Sequence, residues 1–121
     1  MANIKESLVK MMQLDGAVGA CIVDSSSGMM LGAEGGSGLI NLEIAAAGNT
    51  EVVRAKRKTM KSLNLKDTIE DILITLNSQY HLIRPIASND SLFIYLVLDK
   101  SKGNLALSRH HLASIERDLS I

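Results

Sequence analysis

Apolar and polar positions recur along this chain with two different periods, and the switches between them mark its elements. Ile4, Leu8, Met11 and Met12 repeat at helical spacing and make one apolar stripe. Asn3 stands before them with Glu6 three residues on, the pairing that closes a capping box. Asp15-Gly16 breaks the stripe. Residues 17–24 then read as a strand, with Val18, Ala20 and Ile22 on one face and Ala17, Gly19, Cys21 and Val23 on the other. Both faces are apolar, which predicts an interior strand covered on both sides. Ser25-Ser26-Ser27-Gly28 is turn chemistry, and residues 29–34 form a second strand that pairs back as a hairpin.

Residues 39–63 carry the helical period longest. Stepping about 100° per residue, Glu43, Thr50, Glu51, Arg54, Arg57, Lys58 and Lys61 fall on one polar arc. The remaining apolar arc spans roughly 200°, about twice what one sheet face needs. Leu42, Ala46, Val53 and Met60 are placed to pack on the sheet. Ile44, Gly48, Val52 and Ala55 form the other side, and most of them are small. Small side chains let two helix backbones approach, so this side predicts contact with a second copy of the chain. Gly48-Asn49-Thr50 is the weak point in the helix, because Gly costs ~1 kcal/mol relative to Ala there.

Alternation returns after a turn at residues 64–67. Residues 68–77 predict a third strand, 80–87 a fourth and 92–98 a fifth that is apolar on both faces. Pro85 predicts an interrupted ladder, a bulge or a strand end in the fourth, and residues 88–90 turn the chain into the fifth. Asn104 caps a last helix whose stripe is Leu105, Leu112, Ile115 and Leu119. The turns within each strand group are short, so the pairing is antiparallel. The expected fold is α+β: an α/β/α three-layer sandwich in which a five-stranded antiparallel sheet carries the long helix on one face and the N- and C-terminal helices on the other. With 121 residues this is one domain, spanning 1–121.

Charge narrows the function. Thirteen basic residues balance thirteen acidic ones, so the positive excess that drives binding to nucleic acid is missing. Three aromatic residues and no Trp leave no stacking platform. The longest apolar run, residues 92–98, is far short of the ~20 residues that span a bilayer, and the first ten residues lack the apolar core of a signal peptide. No membrane insertion and a cytoplasmic location are expected. The only charge cluster is Arg54, Lys56, Arg57, Lys58 and Lys61, read either as a solvated helix face or as a surface for an acidic partner.

Catalytic patterns are missing. Gly28 and Gly32 enclose Met-Met-Leu, so there is no nucleophile elbow. Gly35-Gly36-Ser37-Gly38 lacks the Lys-Ser/Thr pair of a phosphate-binding loop and reads as a connector. His110 and His111 are adjacent on a helix and point ~100° apart, which cannot chelate one metal. His81 has no carboxylate at motif spacing and reads as a rim histidine. Cys21 is alone and sits in an apolar strand. No catalysis, cofactor or metal is expected.

Taken in order, Gly-Ala-Val-Gly-Ala-Cys-Ile-Val-Asp at 16–24, the turn ending in Gly28 with Met-Met-Leu-Gly, the helix carrying Ala45-Ala46-Ala47, Leu82-Ile83-Arg84-Pro85-Ile86 and the apolar strand at 92–98 resemble the roadblock/dynein light-chain domain family. The resemblance covers almost the whole chain. It implies a homodimer in which the long helices pair and the third strands join two sheets into one, which puts Leu73 and Thr75 at the interface. It also implies a non-catalytic scaffold or regulator of a Ras-like small GTPase, of the kind that includes bacterial activators in gliding motility. The basic residues Arg54, Arg57, Lys58 and Lys61 are the expected docking strip for that GTPase or an acidic adaptor, with the terminal-helix face around Arg109, His110 and Arg117 as the alternative docking site. The alternative is a small-molecule-binding or sensor module, since a sheet-and-helix sandwich can hold a ligand against its sheet.

Overall fold

A computed structural model describes all 121 residues. Three helices and five strands follow in the order α1 (Ile4–Met12), β1 (Ala17–Asp24), β2 (Met29–Gly35), α2 (Leu42–Ser62), β3 (Ile72–Thr75), β4 (Gln79–Ile86), β5 (Asn89–Asp99) and α3 (Leu105–Asp118). The strands make one sheet in the order β2-β1-β5-β4-β3, antiparallel throughout. Two separate cores lie on its faces. Leu8 and Met11 of α1 and Leu112, Ile115 and Leu119 at α3 pack on Ala20, Ile22, Leu82, Ile94 and Leu96. Leu42, Ala46 and Val53 of α2 pack on Cys21, Val23, Ile83, Phe93, Tyr95 and Val97. The sandwich predicted from the periodicity is therefore present.

The helix ends are set by local chemistry. Asn3 and Glu6 complete the capping box of α1, each side chain accepting from the other residue's backbone N–H. Asn41 caps α2 by accepting from the Ile44 N–H, so the helix starts at Leu42 and not at residue 39. Leu39 is exposed in the loop before it. The expected weak point does not break α2. Asn49 and Thr50 give their side-chain donors to the carbonyls of Ala45 and Ala46, one turn back. Thr50 is 1% exposed and faces the sheet, so it leaves the polar arc on which the sequence placed it.

Three strand details depart from the alternation. A bulge between Ala17 and Gly19 shifts the β1–β5 register. It turns Val18 toward the α2 core and Ala17 toward the opposite one, reversing their predicted faces. The β4–β5 turn is only Ala87-Ser88, so β5 begins at Asn89. The third strand is four residues long, where ten were expected. Its last partner is the Ile72–Ile83 pair; the next positions on β4 are Arg84 and Pro85, and Pro85 has no N–H for a ladder.

Gly32 shows why β2 can run under α1. A Cβ there would stand 2.8 Å from Ile4 Cγ2 and 3.0 Å from Leu8 Cδ1, so any larger residue would have to push these α1 side chains aside.

Candidate functional site

α2 leaves one of its long sides uncovered. Leu42, Ala46, Thr50 and Val53 point into the sheet. Ile44 is 71% exposed, Gly48 and Ala55 are exposed, and Val52 is half-buried at the margin of the core. A Cβ added at Gly48 would meet nothing within 4 Å. The four residues predicted to meet a second copy thus run from Ile44, fully outward, to Val52, which touches its own core.

A second open apolar surface lies on the same face of the sheet, at its β3 edge. On the α2 face of β3, Ile72 and Ile74 are half-buried and pack, like Ala45 and Val52, against the core beneath α2. β3 is the last strand of the sheet, with no neighbour beyond it. Leu73 and Thr75 alternate onto its opposite face, opposite Leu82 and Tyr80 of β4, and both are exposed. One face of the molecule therefore carries an uncovered helix side, two half-buried isoleucines and an open strand edge. An edge of this kind is a ready template for pairing with another chain.

The basic residues divide in two. Arg54 is tied down: its Nη2 donates to the carbonyls of Ser25 at 2.6 Å and Ser26 at 3.1 Å, and its Nη1 to Glu51 at 2.9 Å. It clamps the β1–β2 turn to α2 while keeping about half its side chain exposed. Lys58 and Lys61 are exposed, and Arg57 is half-buried near the C-terminal end of the helix. Sequence reading had no way to separate Arg54 from the others, because its partner carbonyls lie 29 and 28 residues away in the chain.

Long-range polar contacts are where the sequence was silent. Glu116 of α3 is 93% buried and accepts from Arg84 Nε of β4 at 2.9 Å. Asp71, just before β3, accepts a two-bond fork from Arg109 of α3 at 2.8 and 2.9 Å. This fork holds the α2–β3 connection against α3, and it raises the Arg109 pKa further, through the hydrogen bonds and then the charge of Asp71. Spacing could not join residues 32 and 38 positions apart.

His81 sits under the β3–β4 half of the sheet's α2 face. Its Nε2 lies 2.9 Å from Gln79 Oε1 and its Nδ1 2.9 Å from the hydroxyl of buried Tyr95. With Gln79 accepting from Nε2–H, the Nδ1 lone pair accepts from the Tyr95 O–H. Burial pushes the His81 pKa down from its ordinary 6.5 and pushes Tyr95 up to about 12. Burial likewise pushes the Cys21 thiol up to about 12, which leaves it protonated and unreactive in its strand. His110 and His111 are both exposed, with ring centres 5.9 Å apart. Nowhere do three or more His, Cys, Asp or Glu side chains converge as metal ligands would. No helix is long and apolar enough to cross a membrane.

No family model matches the sequence, and no curated protein matches it. Solved structures do match the fold. The chain is similar to MglB of Myxococcus xanthus, with a TM-score of 0.82 at 14% identity over 94% of this chain and 82% of that one. It is similar to a roadblock/LC7 domain from Streptomyces avermitilis, with a TM-score of 0.79 at 9% identity over 96% and 93% of the two chains. It is also similar to the gliding protein MglB of Thermus thermophilus, with a TM-score of 0.70 at 16% identity over 95% and 89%. The chain has the roadblock fold, as its ordered motifs led one to expect.

Proposed function

We propose that this chain is a non-catalytic homodimeric scaffold or regulator of a Ras-like small GTPase, working in the cytoplasm. The observation that carries the reading is the open apolar surface on one face of the sheet: Ile44 and Gly48 of α2 with half-buried Val52, and half-buried Ile72 and Ile74 beside the open edge of β3. Exposed apolar surface beside an unpaired strand edge marks an association surface. A two-fold arrangement would pair the α2 sides carrying Ile44, Gly48, Val52 and Ala55 and join the two β3 edges, with Leu73 and Thr75 beside the joint. The likeness to MglB structures, one of them solved with a tetrameric arrangement, supports assembly. The GTPase part of the reading rests on the family the sequence resembles.

The same symmetry would double Arg54, Arg57, Lys58 and Lys61 into a basic strip on a protein of zero formal net charge. Such a strip speeds encounter with an acidic surface and sets orientation more than affinity. The test begins with a pull-down from the native host scored for small GTPases, followed by binding to the GTPase loaded with a fluorescent GTP analogue or with GDP. A clear preference for one nucleotide state supports the reading. Charge reversal at Lys58 and Lys61 should then lower the association rate and its salt dependence. Equal binding in both states, or no GTPase captured, argues against it. A small molecule retained through purification would favour the sensor alternative.

A further inference from the structure

A second feature lies away from the exposed α2 side. The C-terminal turn of α2, the 64–71 connection, the β4–β5 turn and the end of α3 enclose a groove of about 950 Å³. One wall is backbone that lies outside the sheet ladder, where the Thr68 N–H donates to Asp67 Oδ1 at 2.8 Å. Once β3 stops pairing at Ile72, the residues before it peel away from β4, and Thr68, Ile69 and Glu70 take part in no backbone–backbone hydrogen bond.

Arg84 lies at the base of this groove. Its side chain is only 13% exposed, yet it gives one donor, Nε, to Glu116. Its two Nη atoms keep solvent contact and donate to no group of the chain. The other paired arginines behave differently. Arg109 forks onto Asp71 through Nε and Nη2, and Arg54 uses both Nη atoms, although each is nearly half exposed. The most buried of the three is the one whose donor edge is left open. That open Nη edge is a planar pair of donors that matches the two oxygens of a carboxylate.

We propose that the groove binds an extended peptide segment carrying a carboxylate, the carboxylate on the Nη edge of Arg84 and the peptide backbone alongside Thr68–Glu70. A free anion would use the guanidinium but leave most of the volume and the unpaired backbone edge idle. An extended peptide uses both, in the manner of strand addition. The rim carries Arg57 and Lys61 against Asp67, Glu70 and Asp90, so it offers no general attraction for polyanions. Selectivity comes from the one buried fork. The proposal does not depend on the GTPase reading or on the dimer.

The test is a ¹⁵N–¹H titration of the full chain with the peptide acetyl-Thr-Val-Thr-Val-Glu-Thr-amide, its Gln counterpart, and sodium acetate. The expected result is saturable shifts at Thr68–Glu70 and at Arg84 Nε–H with the Glu peptide. The Gln peptide and acetate should each bind at least about tenfold more weakly. Arg84→Lys keeps a cation for Glu116 but removes the fork, and should abolish the preference for Glu over Gln. Equal binding of the two peptides, acetate binding as tightly as the Glu peptide, shifts confined to another surface, or a preference that survives in Arg84→Lys would each overturn the proposal. The peptide comparison on the unmodified chain decides the matter even where the variant folds poorly.

Discussion

Gly48 gives a test in which folding and assembly move in opposite directions. It sits in the interior of α2, where glycine costs about 0.8–1.0 kcal/mol relative to alanine and leucine is close to alanine. A Cβ there meets nothing within 4 Å, so Gly48→Leu should stabilise the isolated fold by roughly that amount. For a chain of this size the melting temperature should rise by about 3–5 °C. In a dimer paired through this side the same leucine would be inserted twice into a close backbone approach. Overpacking costs typically ~1–3 kcal/mol, and each 1.4 kcal/mol is about tenfold in Kd. The dimer should weaken at least about tenfold, while Gly48→Ala gains most of the fold stability with a smaller loss. Sedimentation velocity over a concentration series gives Kd. Thermal unfolding well below that Kd isolates the monomer term, since assembly itself raises the melting temperature. An unchanged or tighter Kd for Gly48→Leu would refute the proposed pairing side. A melting temperature that falls for the monomer would refute the open space around Gly48.

Glu116→Ala should cost about 3–5 kcal/mol in urea unfolding because it strands the buried Arg84 charge; Arg84→Met with Glu116→Leu should recover most of that loss, and equal losses in single and double variants would contradict it. Because burial holds His81 below its ordinary 6.5, the unfolded chain binds the proton more readily. Its contribution is therefore fully present above pH 6.5, is lost as pH falls from there through the lower folded value, and should disappear in His81→Gln; a variant with the same acid slope as the parent across that window would count against it. Arg54→Ala should loosen the Ser25–Gly28 turn, seen as faster hydrogen exchange at the Ser27 and Gly28 amides with a global loss of roughly 1 kcal/mol; unchanged exchange would show that the clamp does not hold the turn. Cys21 should resist a water-soluble thiol reagent in the native protein and react on unfolding, and rapid native labelling would mean that β1 opens.

Much of this molecule is written locally. The strand at Ala17–Asp24, the Asn3 and Asn104 caps and the stripes of α1 and α3 follow from spacing alone, because each depends on residues within a turn or two of one another. The uncovered side of α2 was also legible, since its apolar arc is wider than one sheet face can cover. Other features needed partners brought from far along the chain. Pro85 halts β3 only because β4 lies beside it, and the bulge at Ala17–Gly19 reverses two side chains only against the register of β5. Arg54 became a clamp, Asp71 a latch and Arg84 the partner of buried Glu116 through contacts made across 28 to 38 residues. Periodicity shows which way a side chain faces, because that is a property of the backbone. It does not show what the side chain meets there, because charge pairing and burial are settled only when separate elements pack.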